Sequence, residues 1–129
     1  PGYGLCKIFA VGKDIISNAR GEQVKSNFND LTNALRSKYG EPTSNYDFLI
    51  SGSIWKEPND FMMGLRKEDR TLANFWISSS GAKLPDALKA IQLTAGALSS
   101  TKGYINLAYE FSNADECINA SKMKSNSNL

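Results

Sequence analysis

The chain contains no histidine. Imidazole is the side chain whose ordinary pKa lies nearest neutral pH. Its absence removes the commonest general base, the Ser–His and Cys–His nucleophile pairs, and most catalytic zinc sites. Cysteine is sparse too, at two residues, Cys6 and Cys117, and with no imidazole to activate a thiol neither reads as a nucleophile. Only four prolines and ten glycines occur in 129 residues, which argues against a disordered or fibrous chain. No apolar run nears the ~18 residues of a membrane span, and no basic-then-apolar leader opens the sequence. Methionine removal, leader cleavage and trimming are all compatible with a start at Pro1. Charge of one sign is nowhere concentrated. Residues 1–64 hold seven basic and seven acidic residues and the remainder eight and six, without a run of five like charges. Nucleic-acid affinity rests on phosphate contacts and needs a positive footprint. The lack of one reads against nucleic acid as a partner.

What is present is ordinary globular material, 41% hydrophobic and 22% charged, in a length that fits one domain over 1–129. The strongest local signal spans Glu22 to Tyr39. Val24, Phe28, Leu31 and Leu35, with Ala34 beside them, recur at helical steps, while Lys25, Asp30, Asn33 and Arg36 fall outside that face. Gly40 suits the positive-φ position after the helix, and Pro42 forbids its continuation.

Strand signals flank it. Leu5–Val11 and Asp14–Ser17 surround Gly12-Lys13 and predict an N-terminal hairpin. Leu72–Ile77 reads as a strand. Ile91, Leu93, Ala95 and Ala97 alternate with polar or small residues, as do Ile105, Leu107, Tyr109 and Phe111, and the Gly-containing turn between them predicts a second hairpin. Short helical pieces are expected after Pro58 and at Pro85–Lys89, with short helices and loops over Tyr46–Asp69. A last helix is expected from Asn113 to Met123, then a frayed polar tail over 124–129. The predicted fold class is α+β: an antiparallel sheet, made of the N-terminal hairpin and a C-terminal three-strand meander, packed by one long amphipathic helix.

Candidate chemistry is thin. Cys6 and Cys117 read either as a disulfide tying the chain ends together or as two small buried hydrophobes. A bridge closing a loop of about 110 residues could contribute ~4–5 kcal/mol. It would imply a periplasmic or secreted protein, and free thiols a cytoplasmic one. Glu57/Asp60, Glu68/Asp69 and Asp115/Glu116 are close carboxylate pairs set among polar residues, which reads as solvated surface rather than a metal or glycosidase site. Ser53/Lys56 and its three counterparts lack the companion motifs of Ser–Lys hydrolases. No residue set is assigned to a metal or a cofactor. The segment from Ile54 to Leu65 stands apart. Trp55, Phe61, Met62, Met63 and Leu65, beside Gly64 and Pro58, form either core or an adaptable surface for a protein partner or a small apolar ligand.

The run Leu35-Arg36-Ser37-Lys38-Tyr39-Gly40-Glu41-Pro42 after the helix, with Trp55 and Tyr109-Glu110-Phe111, resembles a loose group of small bacterial accessory proteins of envelope, prophage and mobile gene-cassette origin. That resemblance implies an accessory gene and supplies no activity. The reading that follows is a non-catalytic binding or interaction protein. The alternatives are a small hydrolase working through carboxylates and a structural homo-oligomeric subunit.

Overall fold

A computed structural model describes residues 6–85 and 87–111. Six strands and two helices follow one another as β1 (Cys6–Val11), β2 (Ile15–Ile16), α1 (Glu22–Tyr39), β3 (Ser44–Leu49), α2 (Phe61–Arg66), β4 (Arg70–Ile77), β5 (Leu88–Ser99) and β6 (Lys102–Phe111), with single 3₁₀ turns at Pro58–Asp60 and Ser78–Ser80. The strands form one antiparallel sheet in the order β1-β6-β5-β4-β3, with β2 also on β6, and the fold class is α+β.

Register explains the core. Ile91 pairs with Tyr109, Leu93 with Leu107 and Ala95 with Ile105, while on the other side of β5 Trp76 pairs with Ile91 and Asn74 with Leu93. Residues opposite one another in a ladder share a face. One face therefore collects the apolar row of every central strand, and Val24, Phe28 and Leu35 of α1 close over it. The close approach of the helices depends on Gly103. A Cβ there would stand 2.6 Å from Val24 Cγ2 and 3.1 Å from Met62 Cε, so only hydrogen fits between the sheet and both helices.

The helix ends where the local signals place it, and the Gly40 N–H bonds back to Arg36 O at 2.8 Å with φ at +86°. Its buried stripe differs in one respect. Thr32 is buried, whereas Leu31 is 39% exposed and Ala34 lies at the surface. The Thr32 hydroxyl donates to Phe28 O and accepts from Asn74 Nδ2, and Asn74 Oδ1 accepts from Asn45 Nδ2, at 2.8, 2.9 and 3.0 Å. This chain of bonds carries a polar group through an apolar layer without an unmet partner.

Three expectations are corrected. The N-terminal strands do not pair with each other. Both lie on β6, Cys6–Val11 against Phe111–Asn106 and Ile15–Ile16 against Gly103–Lys102, and the Gly12 N–H donates to Ile105 O at 2.9 Å. Gly12-Lys13-Asp14 is thus a bulge in one interrupted edge strand, because the long β6 offers both segments a ladder. The Tyr46 region holds a strand, β3, where loops and helices were expected. Within the expected helical piece at 85–89, the described residues from Ala87 on are not helical, since β5 begins at Leu88 and Ala87 has φ +71°. The expected helix at Asn113–Met123, the tail at 124–129 and Cys117 lie outside the described residues, and the disulfide reading with them.

Tyr109 packs against the core, and burial, with Tyr39 second, raises its hydroxyl pKa above the ordinary value of 10.0. The unfolded chain then releases this proton at lower pH than the folded one. Stability is expected to be fully present below pH 10.0 and to fall as pH rises through the folded value. Tyr109→Phe, followed by denaturant titration across that range, is expected to reduce the fall. An identical profile in the variant would refute this assignment.

Candidate functional site

The five residues singled out around Trp55 do not share a surface. Phe61, Met62 and Leu65 are buried, Trp55 and Met63 half-buried, and the neighbouring Ile54 is 74% exposed. The local chemistry accounts for this. Pro58 starts a 3₁₀ turn whose N-terminus is closed by a reciprocal capping box between Glu57 and Asp60. That turn launches α2, whose Met62 N–H donates to Ala19 O at 3.1 Å and whose apolar side enters the core. The Ser53 hydroxyl donates to Asp69 Oδ2 at 2.8 Å and accepts the Trp55 N–H at 3.1 Å, which anchors the preceding loop. Glu57, Asp60 and Asp69 thus serve local structure, while Glu68 is exposed. Asp115/Glu116 lies outside the described residues.

Phe61 has a second role. Gly21, with φ +72° at the start of α1, lies so close to it that a Cβ would fall 2.2 Å from Phe61 Cδ2. Glycine at this point lets the ring lie under the beginning of the helix. Lys25 Nζ stands 4.1 Å and Arg70 Cζ 5.1 Å from the ring centroid, both over the ring. Cations held over an aromatic face are attracted by its quadrupole. Above them opens a cleft of about 420 Å³, lined by Arg20, Glu22, Lys25, Asp47, Lys56, Glu57, Pro58, Phe61 and Arg70.

The cleft brings four cations together with three carboxylates. The carboxylates are engaged. Asp47 Oδ1 accepts from Arg70 Nη1 at 2.9 Å, Glu22 Oε2 accepts from Asn18 Nδ2 at 2.8 Å, and Glu57 takes the Asp60 N–H in the capping box. The cations are less fully met. Arg20 bonds the neutral Asn59 Oδ1 at 3.0 Å, Lys25 and Lys56 make no ion pair among the described residues, and Arg70 Nε is buried without an acceptor. Among the described residues no group of three His, Cys, Asp or Glu side chains is arranged to hold a metal ion.

A second hollow, of about 490 Å³, lies between the bulge and α1 over Ile15, Leu31 and Ile105. It has one charge of each sign, Lys13 and Asp14, and no converging polar groups.

Of the residues expected to bind, only Phe61 lines the first cleft. Arg20, Lys25, Asp47 and Arg70 come from the loop before α1, from α1, from β3 and from β4, and no spacing along the chain announces their meeting. Comparison with protein families, with curated proteins and with solved structures found no match. No helix among the described residues is long and apolar enough to cross a membrane.

Proposed function

We propose that the protein is a non-catalytic binding module that captures a small organic anion, through its carboxylate or phosphate group, in the cleft above Phe61. One observation carries the reading: the cleft's carboxylates already have donors, while Lys25 and Lys56 have no anionic partner among the described residues and Arg20 meets only a neutral amide. Charge-assisted hydrogen bonds are the strong ones, and a guanidinium beside ammonium groups suits an oxyanion. The absence of histidine, and carboxylates committed to structural bonds, support binding without turnover. The apolar ligand expected from Trp55 and the methionines gives way to an anionic one, because most of those side chains face inward.

Calorimetric titration with inorganic phosphate, phenyl phosphate and glutarate tests this. Saturable binding is expected for at least one of them, and the stronger of the phosphate and carboxylate arms identifies the headgroup. Lys25→Gln, at a half-buried side chain over Phe61, and Lys56→Gln, at an exposed one, are each expected to weaken binding about tenfold or more, the loss of one charged hydrogen bond at ~1.5–3 kcal/mol. No saturable heat with any of the three, or affinity indifferent to both substitutions, would sink the proposal.

A further inference from the structure

Among the described residues β3 closes one edge of the sheet, with its only ladder to β4. In an antiparallel ladder alternate residues turn their N–H and C=O groups toward the neighbour, and the rest turn them outward. The Ile50 N–H donates to Asp69 O at 2.8 Å, which sets the phase. Ser44, Tyr46 and Phe48 accordingly bond toward β4, and the backbone of Asn45, Asp47 and Leu49 points away. Those outward groups have no partner among the described residues. Chains usually guard such an edge with lysine, proline or a bulge. None of these occurs in Ser44–Leu49. The one charge in the strand, Asp47, is paired with Arg70 of the neighbouring β4 at 2.9 Å. The opposite margin of the sheet differs, since the bulge at Gly12–Asp14 interrupts it.

We infer that β3 pairs with β3 of a second copy across a two-fold axis, so that the two sheets run on as one. An unpaired row of N–H and C=O groups is complemented by another strand, and this strand is suited to itself in one register. Outward residues must meet outward residues. Centring the axis on Asp47 would set two carboxylates directly opposite, which is destabilising. Centring it on Asn45 or on Phe48 would leave only Ser44–Tyr46 or Asp47–Leu49 of the strand in the ladder. Centring it on Tyr46 pairs Ser44–Phe48 throughout and places neutral Asn45 opposite Asp47. Tyr46 then faces Tyr46 of the copy, on the side away from α1, where it and Phe48 are 43% and 47% exposed. The pairing satisfies the open backbone groups and covers those rings, and both copies keep α1 on the same side of the joined sheet.

The register makes the test specific. Sedimentation of the intact protein from low micromolar to millimolar concentration is expected to show a monomer passing to a dimer. Tyr46→Lys sets two ammonium groups face to face and Tyr46→Glu two carboxylates, so each variant alone is expected to stay monomeric at every concentration. An equimolar mixture of the two is expected to dimerise again, because the facing charges are then opposite. Thermal melting followed by circular dichroism establishes that each variant is folded. Hydrogen exchange of the unaltered protein gives an independent measure, with the Asn45 and Asp47 N–H groups expected to slow as concentration rises. A monomer throughout, a dimer that survives Tyr46→Lys, a mixture that fails to associate, or exchange at these two groups that ignores concentration would each overturn the inference. None of these measurements depends on the anion cleft, so either proposal can fail alone.

Discussion

Trp76→Ala is expected to lower the unfolding free energy by about 3–5 kcal/mol, the usual range for removing a buried aromatic side chain. Trp76 is fully buried on β4, in register with Ile91 of β5, in the core cluster. Its indole N–H also donates to Gly40 O at 2.8 Å, which fastens the end of α1 to the sheet. The alanine variant therefore loses packing and leaves a carbonyl without its donor. Trp76→Phe is intermediate, since it keeps an aromatic ring but loses the N–H and part of the bicycle's volume, so its loss is expected to exceed the about 0.5–1.5 kcal/mol of the net hydrogen bond and to stay below that of the alanine variant. Denaturant titration reads both as a lower midpoint. A change in the alanine variant within about 0.5 kcal/mol, the size of an ordinary surface substitution, would contradict the packing described for Trp76.

The second large effect falls on the segment that looked most like a surface for partners. Met62 is 0% exposed and reaches the backbone of β6 over Gly103, beside Val24. Met62→Ala is expected to cost about 2–5 kcal/mol of stability, as buried methionine-to-alanine changes do. Ile54→Ala, eight residues earlier and 74% exposed, is expected to stay within about 0.5 kcal/mol of the unaltered protein. Parallel melts of the two variants make the comparison. Equal and small losses would return Met62 to the surface. Anion affinity per folded molecule is expected to be unchanged in both, because neither side chain lines the cleft.

The parts of the fold legible in the amino-acid order are those whose periodicity is set by burial on one side. α1 and the β5–β6 hairpin each carry a single apolar face, and their limits follow from that face together with Gly40 and the turn before Gly103. β3 escaped notice for the opposite reason. It is an edge strand with Tyr46 and Phe48 exposed on one face and Asn45 and Asp47 exposed on the other, so no burial contrast marks it. Phe61–Leu65 reads in the sequence as either core or surface, and most of it is buried. Phe61, Met62, Gly64 and Leu65 stand at positions i, i+1, i+3 and i+4, one side of a helix, and that side is buried while Met63 is half-buried; six residues are too few for the stripe to show as a periodicity.

What the order of residues decided by itself is local and subtractive. It set the helix over Glu22–Tyr39 and the alternation of β5 and β6, and by omitting histidine it removed most acid–base and nucleophile chemistry. Tertiary structure decided the rest. It placed β1 and β2 on β6, put Thr32 rather than Leu31 in the core by offering it Asn74, and gathered Arg20, Lys25, Lys56 and Arg70 around Phe61. The reason is physical: side-chain period reports which face is buried, whereas the meeting of cations from separate elements depends on strand order and register, which no local pattern encodes.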